Sequence, residues 1–187
     1  MPPPPDHPNV QAVVAALRAG GATASGARMR VLPDAVSTAR AAAEALGIEV
    51  GQIANSLIFV MEQNGPDTGT GTERSASGTS IGAQTEPLLV LASGAHRVDT
   101  AKLAAQLGVR AIRRADGRFV RAATGQVIGG VAPVGHPAPL RTVVDTALAD
   151  YAEVWAGGGI PHAVFPTSFA ELITLTGGTA AAVAEGS

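Results

Sequence analysis

From Gly129 to His136 the chain reads Gly-Gly-Val-Ala-Pro-Val-Gly-His. Glycines such as Gly130 and Gly135 let the backbone reach φ > 0 and let a ligand approach the main chain, while Pro133 fixes φ and removes one donor. The remaining N–H groups of such a loop can face an anion or a polarised carbonyl. The plain alternative is a tight structural turn. His136 directly follows the loop, and His96 and His162 lie beside other glycine-bearing segments. No two of these histidines have the spacing of helical metal ligands, and the chain has no cysteine, so no metal or cofactor is expected. Ser93, His136 and Asp145 make a nucleophilic triad on paper, but no Gly-x-Ser-x-Gly elbow supports it. Ser93 and Gly94 read better as a turn lining a pocket.

A second chemical feature is cationic. Arg110, Arg113, Arg114, Arg118 and Arg121 place five cations within twelve residues just ahead of the glycine loop. They form either a solvated helix face or a phosphate contact, for which the guanidinium offers bidentate donors. Charge elsewhere is balanced. The formal net charge is −2 with a pI near 6.1, which excludes a protein that grips nucleic acid by bulk electrostatics.

The elements that must position these residues are legible in outline. At 187 residues the chain has the length of one domain, and with 46% hydrophobic but only 3% aromatic residues its core must rest on Ala, Val, Leu and Ile. Residues 1–7 read as a disordered proline-rich tail, and 8–187 as a single domain with a flexible insertion at 63–86. No apolar run is long enough to span a membrane, and the first residues lack the pattern of a secretory signal, so a cytoplasmic location without membrane contact is expected. Val10, Val13, Val14 and Leu17 have helical spacing ahead of Gly20, and a second helix is expected from Ser37 to Leu46 with Gly47 at its end. Asp99 and Asp116 can begin helices that end at Gly108 and Gly125, and Ser168 with Glu171 forms a capping box for a helix ending at Gly177.

Ser56 to Val60, Pro87 to Leu91, Val154 to Ala156 and Ala163 to Phe165 read as strands, and Gln126 to Ile128 as a strand-like run entering the glycine loop. Pro139 sits where a helical first-turn proline belongs, ahead of Leu140, Val143, Val144, Ala147 and Leu148. Most strand connections are too short for crossovers. The expected fold is therefore mixed α/β of the α+β kind: a mixed, largely antiparallel sheet surrounded by helices.

Four segments occur in a telling order: Ile53-Ala-Asn-Ser-Leu-Ile-Phe-Val60, Leu91-Ala-Ser-Gly-Ala-His-Arg-Val-Asp99, the glycine loop through His136, and Gly157-Gly-Gly-Ile-Pro-His162. In this the chain resembles the YbaK/EbsC family of aminoacyl-tRNA deacylases, related to the editing domain of bacterial prolyl-tRNA synthetase. The resemblance implies trans-editing: hydrolysis of the ester joining a wrong amino acid to the tRNA 3′ end. It implies catalytic roles for Asn55, Gly130 and Gly135, and substrate contacts from Ser56, Ser93, Gly94, Pro133, His136, Gly158 and His162. Arg113, Arg114 and Arg118 would hold the tRNA acceptor end, with an aminoacyl-tRNA synthetase as a further partner and a monomer or homodimer as the assembly. One position departs from the family. Its deacylases carry a functional lysine where this chain has Asn55, and the lone lysine here is Lys102. Arg97 or Lys102 could supply the missing charge. A non-catalytic module binding an aminoacyl group or nucleotide is the alternative that Asn55 favours.

Overall fold

The computed structural model describes residues 6–33, 38–64 and 84–185. Helices begin where a side chain can accept a free backbone N–H. His7 does this for α1 (Pro8–Ala19), whose proline occupies the first turn. A short α2 (Thr23–Ala27) follows. Thr38, Asp99, Asp116 and Ser168 cap α3 (Ala39–Leu46), α4 (Thr100–Leu107), α5 (Gly117–Thr124) and α6 (Phe169–Thr176). Gly47, Gly108, Gly125 and Gly177 end the same four helices in the left-handed conformation.

Among the described residues eight strands form one sheet: β1 (Arg30–Val31), β2 (Ile53–Glu62), β3 (Thr85–Ser93), β4 (Ala111–Arg114), β5 (Arg141–Asp145), β6 (Val154–Gly157), β7 (Ala163–Thr167) and β8 (Thr179–Ala181). Their order is β1-β7-β6-β2-β3-β5-β8, with β4 beside β2. Among the described residues four pairings are antiparallel and three parallel, the mixed sheet with an antiparallel majority that was expected. The parallel pair β3 and β5 requires a crossover, which α4, β4 and α5 supply.

Both faces of the sheet are covered. On one, Ile58, Leu89, Leu91 and Val144 pack against Val10, Val13 and Leu17 of α1 and Leu172 of α6. On the other, Phe59, Met61, Leu88 and Val90 meet Leu103 of α4. At its far end Ile53 and Trp155 meet Ala42 and Ala43 of α3. Small residues on α3 let that helix lie close to the indole, which compensates for the scarcity of large rings.

Three local expectations are overturned. No helix starts at Pro139; residues 141–145 are β5, followed by a 3-10 turn (Thr146–Asp150) that Asp145 caps through Ala147 N. The run Thr-Val-Val is β-branched and buried between β3 and β8, so strand packing wins where apolar spacing alone allowed either reading. Residues 126–128 are not a strand; they lead into a turn over 127–130, closed by Gly130 N donating to Val127 O at 2.9 Å. The arginine cluster is not one helix face, because Arg113 and Arg114 lie on β4 and Arg118 and Arg121 on α5. The hairpin arms β2 and β3 also run further than expected, with Gln63 N bonded to Gln84 O at 3.0 Å. Of the expected insertion, residues 65–83 lie outside the described residues, as do 1–5 of the expected tail.

Candidate active site

The site is built on an interruption in the sheet. On the side of β2 away from β3, β6 pairs with Ile53 and Ala54, and β4 pairs with Phe59 to Glu62. Between those ladders no strand lies beside the β2 edge among the described residues. Glu62 O and Ile58 O face this side, accepting from Arg110 N at 2.9 Å and Ala115 N at 3.3 Å. Strand alternation then directs the N–H and C=O of Ser56 to the same side, into the open stretch. The Ser56 hydroxyl is buried with no hydrogen-bond partner among the described residues.

A cavity of about 610 Å³ opens at this interruption, lined by Asn55 and Ser56. Leu32, Ala42, Ile53 and Trp155 make one wall apolar. Arg30 caps that wall, its guanidinium 5.0 Å from the centre of the Trp155 ring. Gly129, Val131, Gly157 and His162 line the cavity as well, and Arg114 contributes a cation.

Two glycine-rich loops meet here, backbone to backbone. A Cβ on Gly130 would lie 2.6 Å from Ile160 C and Pro161 N, and one on Gly157 would lie 2.5 Å from Val131 O. Both positions need glycine for close approach. His162 has φ 69°, alone in positive φ among the described non-glycine residues, and its carbonyl accepts from Leu32 N at 2.8 Å. A non-glycine residue there stores strain of about 1–3 kcal/mol, and such residues gather at functional sites.

The structure separates the other residues singled out in the sequence. Pro133, Gly135 and His136 line a second depression of about 250 Å³, with Leu140 and Leu175. Gly135, at φ 83°, sits against α1, where a Cβ would be 2.9 Å from Val13 N. His136 Nε2 contacts Ala132 O at 2.9 Å, and burial lowers its pKa below the usual histidine value, partly opposed by that carbonyl. Gly158 is buried beside Ala163, outside the cavity lining, and its N–H donates to Ala163 O at 2.7 Å.

Ser93, which ends β3, and Gly94 after it lie behind the cavity wall and do not line it. Ser93 Oγ donates to Gly51 O at 3.0 Å, and Ser93 N donates to Asp145 Oδ2 at 3.1 Å. Asp145 pairs with His96 at 2.7 Å, so the histidine bonded to this carboxylate is His96 rather than His136. A Cβ on Gly94 would be 2.4 Å from Val50 O. Among the described residues no three His, Asp or Glu side chains gather into a metal-binding group.

The arginines divide by strand alternation. Arg113 and Arg110 both pair with Glu62, a carboxylate buried beneath them. Arg114 points to the other face, lines the cavity, and makes no ion pair among the described residues. Arg118 lies exposed on α5. Neither Lys102, whose Nζ reaches Ala184 O at 3.3 Å, nor Arg97 lines the cavity. Sequence reasoning missed Trp155 and Leu32, and it read Gly129 only as the start of the loop, with no site role of its own. The single tryptophan beside the Gly157–Gly159 run was a usable signal, but nothing local marked Leu32.

The model of the aminoacyl-tRNA editing domain matches residues 33–175. Among solved structures, a candidate trans-editing enzyme for prolyl-tRNA synthetase is similar at 37% identity and TM-score 0.78, covering 96% of this chain and 99% of that one. A structure from a study of epitope backbone grafting onto scaffold proteins is similar at 36% identity and TM-score 0.78, with the same coverage of 96% and 99%. The hypothetical protein APE2540 is similar at 26% identity and TM-score 0.73, covering 93% of this chain and 99% of that one. The match over most of the chain, on a mixed sheet of the same fold, shows that this protein belongs to the aminoacyl-tRNA editing domain family.

Proposed function

We propose that the protein is a trans-editing deacylase, which hydrolyses the ester of a mischarged tRNA in the cavity at the open edge of β2. The observation that carries this reading is the meeting of Asn55, Ser56, the glycine-loop entrance and an apolar wall in one cavity. The wall suits an amino-acid side chain. The polar side suits an ester, whose carbonyl becomes an oxyanion when water attacks.

Donors for that oxyanion come from the start of the glycine loop. Ala132 N already donates to Gln126 Oε1 at 2.7 Å and Gly130 N to Val127 O at 2.9 Å. That leaves Gly129 and Val131, residues that line the cavity, as the loop positions whose N–H groups would serve. One such donor is worth ~10²–10³ in rate. Asn55 offers an amide donor where family deacylases carry a lysine, and Arg114 is the guanidinium placed to hold a phosphate of the tRNA 3′ end. The cytoplasm and an associated synthetase fit this role.

A second reading, a module that binds the aminoacyl end without cleaving it, is favoured by the neutral Asn55. A panel of mischarged tRNAs, assayed for amino-acid release and for binding, separates the two. Release from at least one member well above the uncatalysed rate is expected. Tight binding with no release from any member would establish the second reading.

A further inference from the structure

The unpaired stretch of β2 has the outline of one missing strand residue. In an antiparallel ladder, two directly opposed residues in a hydrogen-bonded pair exchange both bonds, each giving its N–H to the other's C=O. Ser56 presents both groups on the open edge, with the β6 ladder reaching only to Ala54 of β2 and the β4 ladder beginning only at Phe59 of β2. An aminoacyl ester carries the complementary pair on one Cα: an α-ammonium that donates and an ester carbonyl that accepts. We infer that the aminoacyl group docks on Ser56 as a one-residue β-strand, giving an α-N–H to Ser56 C=O and taking Ser56 N–H on its ester carbonyl.

A second observation points the same way. The Ser56 hydroxyl is buried beside the same opening without a partner among the described residues. A buried polar atom left unpaired is costly, and native structures retain few of them. Cross-strand partners project side chains to the same face, so the bound side chain would lie next to this hydroxyl. Docking by main-chain bonds, with pockets choosing the side chain, is the logic of strand addition to a sheet edge. It also directs the ester carbonyl at an N–H before water arrives.

This inference rests on the deacylase reading for its ligand, and its test keeps the two apart. Two non-hydrolysable probes suffice: adenosine carrying an L-alanyl group through a 3′-amide, and the same compound with propionyl, which lacks the α-ammonium. The alanyl probe is expected to bind at least about 10-fold more tightly, the loss a charged donor's bond predicts, and to slow hydrogen exchange at the Ser56 amide. Equal binding of the two probes, or an unprotected Ser56 amide while alanyl binds, overturns the docking. Ser56→Pro removes an N–H that no ladder uses and should lower kcat/KM for the best mischarged tRNA at least about 10-fold, while Ser56→Ala keeps the backbone pair. Should the proline variant not fold, the two-probe comparison on the natural chain still decides. Protection of Ser56 by alanyl in a protein that releases no amino acid from any tRNA would support the docking and refute the deacylase reading. Release with an unprotected Ser56 would do the reverse.

Discussion

Replacing Gly130 by alanine tests whether the glycine loop is held by the loop it faces. The added Cβ would meet Ile160 C and Pro161 N at 2.6 Å, whereas ordinary contact begins near 3.4 Å, so the loops must part by about 0.8 Å. Both neighbours are backbone atoms, so no side-chain rotation relieves the clash. Overpacking of this kind costs about 1–3 kcal/mol. For a chain of this size each kcal/mol lowers Tm by about 2–4 °C, which gives a loss of about 2–12 °C. The separated loops carry Gly129, Val131 and His162, so kcat/KM should fall as well. Gly129→Ala is the matched control: nothing lies within 4 Å of its Cβ, but its φ of +85° costs an L residue about 1–2 kcal/mol. Thermal denaturation beside deacylation of the best substrate measures both variants. A Gly130→Ala protein that melts within about 1 °C of wild type refutes the reasoning, because the loops would then not be in contact. A drop in activity at Gly130 is therefore no proof of a backbone donor there.

The remaining predictions concern charge. Asn55→Lys should raise deacylation about 10-fold or more, a gain of about 1.4 kcal/mol, since a cation in a partly apolar site stabilises a developing oxyanion; a folded variant that is no faster removes Asn55 from that role. Arg114→Ala should weaken tRNA binding and reduce its salt slope by about one, because a phosphate contact is lost. Arg113→Ala should leave that slope unchanged and lower Tm instead, since it strips a partner from buried Glu62; equal salt slopes for the two variants would contradict the division. His136 has a folded pKa depressed by burial, so the unfolded chain binds its proton first as pH falls. Its contribution is complete above about pH 6.5 and is lost as pH drops from there through the folded value. His136→Gln should flatten the Tm–pH curve below pH 6.5, and an unaltered curve would show that another group titrates.

Much of the scaffold was readable in order along the chain, because the signals involved are local. Asp99, Asp116 and Ser168 cap the helices they precede and Gly108, Gly125 and Gly177 end them, while Gly47 ends α3, since each needs only a few neighbouring residues to act. The cavity residues Asn55, Ser56, Arg114 and His162 were legible through motif resemblance, although their convergence was not. Where local signals were ambiguous, tertiary pairing decided. Residues 141–145 carry apolar spacing compatible with a helix, and became a strand because β3 and β8 each offered a ladder. The fates of Arg113 and Arg114 diverged because adjacent strand residues point to opposite faces, one toward Glu62 and one toward the cavity.

By itself the sequence determined which segments become capped helices, which residues are apolar enough for a core, and that a glycine loop precedes His136. Only the tertiary structure decided that this loop offers its first residues to the cavity and packs the rest against α1, because glycine permits close approach without specifying what approaches. The interruption at Ser56 belongs to the same category. It arises where two ladders from distant parts of the chain stop short of each other, and register between distant strands is a property of the assembled sheet rather than of any one segment.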